Sequence, residues 1–551
     1  MKIPSHKVII PLIAAALSLC VFQQRAFALI PADGRPRPGR FRDGVSRKPD
    51  PAKLRRMGYS APEIRRAMGT EGTKKVAVIF VNFPSADGTT SSSIDGTRQI
   101  QDPAKIMTYI SSMTHFYKEA SYGKLNLVFT TYSAVTADYG MSYYSDDNAH
   151  LLIKEAIMAS GANAATHDAV MIVHAGYGQE STGKSGDIFS AFYPSEYFPI
   201  PVNGFREGFV VPEFQKPLAW SPFGVYVHEM GHQLGLPDLY STDKLTGGTR
   251  IGIWCLMDYG PWGGDGHKPS HLSAWCKNYL GWLEVSTAAA AGEYALNTVS
   301  SSSGILRIPI DVASDPDNEY FLVEYRRRDD AVAAYDKDLP ASGILIWHIN
   351  DTVGSVPVND VNNYPVLRVA LVPADSTLPS SNYGDVTDPW PGSKITFADP
   401  DSRAYSGAAS GIAAANFRNY ASSSVFSVDK IAVSPAFALS RLVNYPNPAG
   451  KNFFHPRGVL TTINFRTSRP ARNINLAIYN ITGEKILSVP SSAVSIRVGG
   501  SGIGASSDEN WVYEFDWNGK DSGGADVAPG VYIYRLRADG QIKTGKMVVE
   551  R

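Results

Sequence analysis

A chain of 551 residues is too long for one hydrophobic core, so several domains are expected. Lys and Arg number 52 against 52 Asp and Glu, which leaves no basic surplus to draw nucleic acid, so no nucleic-acid partner is expected. With 44% hydrophobic and 19% charged residues the composition is that of ordinary globular protein and excludes a fibrous or disordered chain. At the N-terminus, Lys2 and Lys7 precede an apolar run from Val8 to Phe22, followed by the small residues of Ala26-Phe27-Ala28. That order describes an export signal over residues 1–28. The run's 15 residues are short for a membrane span. Residues 29–70 are basic and proline-rich, with Arg35, Arg37, Arg40, Arg42 and Arg47 ahead of a helical pattern from Leu54 to Met68, and read as a propeptide or flexible lead-in.

A buried strand is expected over Val76–Phe83, a helix over Ile106–Tyr117, a strand over Leu125–Thr130, a helix over Leu151–Ala159 and a further strand over Ala169–Val173. This alternation describes an α/β domain over residues 71–290 whose cleft lies against one edge of a sheet. The next helix, Val225–Gly235, carries the most informative residues of the chain. His228 and His232 stand four apart, so both imidazoles leave one helix face toward one ion, with Glu229 beside them for proton transfer. Gly235 can end the helix and swing Asp238 back as a third ligand, which leaves a fourth zinc position for water. Met257 follows within Cys255-Leu-Met-Asp-Tyr259, and a helix is expected from His271 to Tyr279. Loss of Cys20 with the signal leaves Cys255 and Cys276, an even pair that suits a disulfide in an exported chain, with two buried free thiols as the alternative.

Beyond about Ala291 helical periodicity stops. Short apolar segments at 305–310, 320–325, 344–349, 366–372 and 424–431 alternate with turns, an all-β extension over 291–435. A separate module is expected over 443–551, opening on Asn444-Tyr-Pro-Asn-Pro448 and running through short strands at 461–465, 474–479, 511–517, 529–536 and 546–549, the spacing of a small β-sandwich.

The segment from His228 to Asp238 with Met257 resembles the metzincin clan of zinc metallopeptidases, whose pattern is HExxHxxGxx followed by His or Asp and then a Met-turn. Within the clan the chain is similar to the immune inhibitor A-like secreted bacterial peptidases, which also admit Asp in the third ligand position. The similarity continues through Lys75–Phe83, Phe116–Gly123, Val173–Glu180, Phe209–Glu213, Lys268–Trp275, Glu319–Arg326 and Leu339–His348. The resemblance implies a metal set of His228, His232 and Asp238, catalysis by Glu229, and a transition-state role for Tyr259 like that of the tyrosine in astacin-like and serralysin-like enzymes. It also implies a secreted or bacterial cell-surface location, protein or peptide substrates, Zn2+ as cofactor and Ca2+ as a structural ion. The turns holding Asp315, Asp317, Asp375, Asp385 and Asp388 are candidates for calcium, although none has EF-hand spacing. The last hundred or so residues resemble flagellar-hook-capping-like immunoglobulin-type modules and type IX secretion sorting domains, which implies a partner in secretion machinery or at the cell surface.

The expected activity is therefore zinc-dependent endopeptidase chemistry. Two alternatives stay open: a surface adhesion protein on a peptidase-like scaffold, and a zinc amidase acting on cell-wall peptides. His174, Glu180 and Glu213 are equally open between ion binding, framing a substrate groove and simple support of the cleft, while His271 and His348 read as structural.

Overall fold

The computed structural model of the protein describes residues 46–550 except 47, 57–59, 85–98, 146–147, 244–246, 289, 311–317, 332, 431–438, 451–458, 468–470, 472–473, 499–510 and 539–540. The export signal, Arg35 to Arg47, Asp315, Asp317 and Arg551 lie outside the described residues. Two short helices, α1 (Pro51–Arg56) and α2 (Ala61–Met68), precede β1 (Gly72–Asn82). Then come α3 (Pro103–Ala120), β2 (Leu125–Thr136), α4 (Ala149–Ser160), β3 (Ala169–Tyr177), β4 (Ala191–Tyr193), β5 (Gly208–Phe214) and α5 (Phe223–Gln233).

The first sheet runs β2-β1-β3-β5-β4, parallel except for the antiparallel edge strand β4. Its central strands are apolar without interruption because both faces are covered. Val76, Val78, Phe80, Met171, Val173 and Val211 point toward α3 and α5, whereas Ala77, Ile79, Val81, Val170, Ile172 and Val210 point toward α4. Helix α3 begins three residues before the apolar pattern predicts, because Pro103 supplies the first helical position and the Asp102 side chain accepts from the Lys105 N–H at 2.8 Å. Its buried residues Ile106, Tyr109, Ile110, Met113, Phe116 and Tyr117 form one stripe. From that stripe the Tyr117 hydroxyl donates to the Val227 carbonyl of α5 at 2.5 Å.

After α5 the chain passes through a loop containing Met257 to α6 (Ala274–Tyr279). This helix starts later than the expected His271, because the Ser273 side chain caps it by accepting from the Cys276 N–H. Next come β6 (Glu284–Thr287), β7 (Gly292–Asn297), β8 (Gly304–Pro309), β9 (Glu319–Arg326), β10 (Gly343–Asn350) and β11 (Val369–Leu371). A second sheet runs β11-β10-β9-β8-β6. One of its faces, with Leu322, Leu345, Trp347 and Ile349, joins the same core as α3 and α5. The opposite face, with Phe321, Val323, Ile344 and Ile346, packs against a third sheet formed by β7, β12 (Ile412–Asn419) and β13 (Ser423–Lys430).

The remaining strands are β14 (Leu439–Tyr445), β15 (Ala449–Gly450), β16 (Thr461–Thr467), β17 (Ile474–Asn480), β18 (Lys485–Val489), β19 (Ser495–Val498), β20 (Trp511–Trp517), β21 (Gly530–Ala538) and β22 (Gln541–Glu550). They make sheets of order β14-β16-β20-β19 and β15-β22-β21-β17-β18, and residues of both, among them Ile463, Phe465, Tyr513, Leu476, Leu536 and Met547, share one apolar cluster. The protein is thus an α/β domain followed by β-rich regions. Among the described residues no helix is long and apolar enough to cross a membrane.

A buried ionic cluster links the second sheet to the Met257 loop. Arg326 is fully buried; its guanidinium donates to Asp336 at 2.7 and 2.5 Å, to Glu324 at 3.3 Å and to the Trp254 carbonyl at 3.1 Å. Burial alone would raise the Asp336 pKa, but Arg326 and the other neighbours hold it at about 2, below the ordinary 3.8. Because that pKa is depressed on folding, Asp336 contributes stability above its unfolded value of 3.8 and loses it as pH falls toward about 2. Arg326→Leu leaves two carboxylates buried without their cation and is expected to cost about 3–5 kcal/mol in urea unfolding at neutral pH. The deficit should shrink on mild acidification, as the stranded Asp336 carboxyl takes up a proton. A variant within about 1 kcal/mol of wild type at neutral pH would remove the cluster from the account.

Candidate metal centre

The metal centre is built at the C-terminal end of α5. The His228 Nδ1 lies 2.9 Å from the Leu256 carbonyl and the His232 Nδ1 2.8 Å from the Leu236 carbonyl. A carbonyl only accepts, so each Nδ1 carries the proton and each Nε2 presents a lone pair. Helix α5 then ends as the residues at its terminus dictate. Gly235 adopts φ +101°, the Gly235 N–H donates to His232 O at 2.9 Å, and the Leu236 N–H donates to Gly231 O at 3.0 Å. This paired closure needs a left-handed residue, which glycine supplies at least cost. The chain turns back, and Asp238 arrives opposite the imidazoles.

The three acceptors close a small triangle. His228 Nε2 and His232 Nε2 are 3.1 Å apart, and Asp238 Oδ1 lies 3.2 Å from the first and 3.3 Å from the second. All three side chains are buried. Burial pushes the His228 pKa down and so favours its neutral form. Burial acts to raise the Asp238 pKa while the adjacent His232 and His228 act to lower it, and the net direction is downward. Two imidazole Nε2 atoms and one carboxylate oxygen therefore converge on one point. Such an arrangement fits a cation. Tetrahedral zinc with bonds of about 2.0–2.1 Å spaces its ligand atoms by about 3.3–3.4 Å, close to the edges seen here. Among the described residues this is the one group of three His, Cys, Asp or Glu side chains whose ligand atoms lie within 4.8 Å of one another.

Glu229 follows His228 on α5 and is 1% exposed. Met257 is fully buried under the same helix, and a Cβ added at Gly231, between the two histidines, would come within 2.6 Å of its Sδ. Tyr259 is half-buried with its ring against Tyr383, centroids 4.9 Å apart, and burial pushes its pKa up to about 12. The two thiols are neighbours but not bonded: Cys255 Sγ and Cys276 Sγ lie 3.8 Å apart, and Cys255 Sγ accepts from the Met257 and Ser273 N–H groups. The disulfide expected from an even cysteine count is therefore replaced by its alternative, two buried free thiols.

The other polar residues singled out in the sequence have structural partners. His174 is buried with Nδ1 on the Ala175 carbonyl, and burial lowers its pKa to about 4. Glu180 accepts from Ser190 and Gln215, and Glu213 accepts from the Gln101 and Asp102 N–H groups that open α3. His271 pairs with Glu119 and His348 with Glu319, each at 2.8 Å. Asp375 and Asp385 accept hydrogen bonds within one loop, and Asp388 Oδ2 accepts from the Asp385 N–H at 2.9 Å and from Trp254 Nε1 at 2.7 Å, while its buried Oδ1 has no hydrogen-bond partner among the described residues.

Two contributors to the centre lie far from it in sequence. Asn359, left-handed at φ 58°, accepts from the Asp238 N–H at 2.7 Å through Oδ1 and donates to Asp238 Oδ2 at 2.6 Å through Nδ2. From the other side the lead-in reaches α5. The Ser46 N–H donates to His232 O at 3.1 Å, and Glu207 accepts from both Ser46 Oγ at 2.8 Å and Gln233 Nε2 at 2.6 Å. A run of three asparagines within 359–363 was the available signal for the first; nothing local marked Ser46.

Residues 207–283 match the catalytic domain of the immune inhibitor A peptidase M6 family. The chain is 36% identical over 127 residues to immune inhibitor A of Bacillus thuringiensis subsp. alesti, covering 20% of this chain and 18% of that protein. It is 42% identical over 59 residues to the pre-pro-metalloprotease PrtV of Vibrio cholerae serotype O1 (strain M66-2), covering 10% of this chain and 6% of that one. The matched part thus spans less than a fifth of each relative's length. Among solved structures, PorZ of Porphyromonas gingivalis, described as a bacterial surface component of the type-IX secretion system, aligns at 22% identity over 20% of this chain and 11% of that chain, with a TM-score of 0.13. Residues 207–283 are thus similar to the M6 peptidase catalytic domain, and together with the His228, His232 and Asp238 cluster that similarity supports metalloprotease-like enzymatic activity.

Proposed function

We propose that the chain is a secreted zinc metalloendopeptidase that hydrolyses peptide bonds in proteins, with His228, His232 and Asp238 holding the metal. The observation that carries this reading is the triangle of two imidazole Nε2 atoms and one carboxylate oxygen with edges of 3.1, 3.2 and 3.3 Å. A bound zinc supplies Lewis acidity toward a water and toward a carbonyl oxygen. Glu229 takes the proton that the attacking water gives up and hands it to the departing amine. Its place directly after His228 on a rigid helix supports that role. The Tyr259 phenol, with a pKa pushed up to about 12, stays protonated at neutral pH and donates a hydrogen bond to the oxyanion. Met257 has no proton to exchange and serves as the packed floor beneath α5.

In this reading residues 1–28 are the export signal, 29–70 the lead-in, 71–290 the catalytic domain and 291–435 its all-β extension. Residues 443–551 form an immunoglobulin-type β-sandwich that attaches the enzyme at a bacterial envelope or is read by secretion machinery. The shared apolar cluster between its two sheets supports a module with its own core.

Digestion of casein with and without a chelator tests the activity. Glu229→Gln should keep zinc and fold while losing about 10²–10⁴-fold in turnover, and wild-type turnover would overturn the mechanism. Tyr259→Phe should lower kcat by about 10–100-fold with little change in KM; an unchanged kcat returns Tyr259 to packing. Cleavage of purified peptidoglycan with casein untouched would favour the amidase instead.

Deleting Val443 to Arg551 should leave casein cleavage intact and misdirect the protein. Normal delivery rejects a sorting role, and loss of cleavage in a folded, zinc-loaded truncation rejects the module's independence.

A further inference from the structure

We infer that Asn359 is a positioning residue for the third metal ligand, so that the all-β extension is part of the metal centre. The inference rests on the zinc reading above. His228 and His232 are fixed by a helix, but Asp238 lies beyond its end, in a stretch of 236–240 with no regular secondary structure. A carboxylate there has two free side-chain torsions, and only one setting aims Oδ1 at the imidazoles. The Asn359 amide removes that freedom. Its Oδ1 holds the Asp238 main chain at 2.7 Å and its Nδ2 holds Asp238 Oδ2 at 2.6 Å, which leaves Oδ1 as the oxygen facing Nε2 of both histidines.

Asn359 is itself anchored. It is 1% exposed, its N–H donates to Val356 O at 3.0 Å, and its carbonyl accepts from Thr242 Oγ1 at 2.7 Å. Two neighbours extend the clasp along the same stretch. Asn362 Nδ2 donates to the Leu239 carbonyl at 2.8 Å and Asn363 Oδ1 accepts from the Thr242 N–H at 2.7 Å. The chemistry of the position is specific. One group must accept from a main-chain N–H and donate to a carboxylate within the same side chain, and a primary amide does both. A carboxylate at 359 would keep the acceptor but place a second anion against Asp238 Oδ2. The left-handed backbone adds a further preference, since asparagine and glycine tolerate φ 58° better than other residues.

The experiment compares Asn359→Gly, which keeps the left-handed backbone and removes the amide, with Asn359→Asp, nearly isosteric but without the donor, and with Asp238→Ala. Each full-length protein is measured for zinc affinity by chelator competition, for the visible spectrum of its cobalt-substituted form, and for folding of the metal-free protein by circular dichroism. Loss of a hydrogen bond to a ligating carboxylate should weaken zinc by about 10–100-fold and alter the cobalt spectrum. Asn359→Asp should bind more weakly than Asn359→Gly, and it is the variant to read where the glycine substitution impairs folding. Wild-type zinc affinity and an unchanged cobalt spectrum in the Asn359 variants, alongside impaired binding in Asp238→Ala, would overturn this inference alone. Unimpaired zinc in Asp238→Ala would overturn the metal assignment beneath it.

Discussion

Two imidazole nitrogens and a carboxylate oxygen, buried within 3.3 Å of one another, are an unfavourable arrangement for a folded protein to maintain without a cation. It persists because each group is fixed from behind. The Leu256 and Leu236 carbonyls set both imidazole tautomers, and Asn359 sets the carboxylate. A cation turns the same arrangement from a cost into a gain, and metal affinity then rests on partners that never touch the metal. Much of the surrounding architecture amounts to holding these partners still.

That holding comes from several parts of the chain at once. Helix α3 ties to α5 through Tyr117, and the lead-in ties to its end through Ser46. The extension braces the Met257 loop at three places: Arg326 on the Trp254 carbonyl, Asp388 on the Trp254 indole, and the Tyr383 carbonyl on the Ile253 N–H at 2.8 Å. One apolar cluster runs from β1 through α5 to β10 without a break. The first and second sheets, which share a core and a buried ionic cluster, are expected to unfold together. The C-terminal sheets gather around a cluster of their own, and the Arg466 guanidinium reaches back to the Arg55 carbonyl.

What the sequence made legible was local. Two histidines at helical spacing, a glycine three residues on and an aspartate three further lie within eleven residues, and their meeting follows from the geometry of a helix and its termination. The central strands were legible because a strand covered on both faces is apolar throughout. Less legible were short pieces whose role depends on a distant neighbour. The edge strand β4 has three residues, and β6 lies before the all-β stretch yet pairs with β8. The starts of α3 and α6 were hidden because capping by Asp102 and Ser273 interrupts the apolar pattern. Asn359 acts on a residue 121 positions earlier, a pairing that no periodicity encodes. The cysteine count suggested a bond where the fold has two adjacent buried thiols.

The proposed metal site has two imidazole nitrogens and one carboxylate oxygen as its protein donors, with no sulfur. Zinc-edge X-ray absorption on the purified protein reads this directly. The expected result is about one zinc per chain, surrounded by nitrogen and oxygen alone at about 2.0–2.1 Å, with imidazole scattering from two histidines. A sulfur neighbour at about 2.3 Å would move the metal toward Cys255 and Cys276, and a protein that retains no zinc would rule out the His228, His232 and Asp238 zinc site.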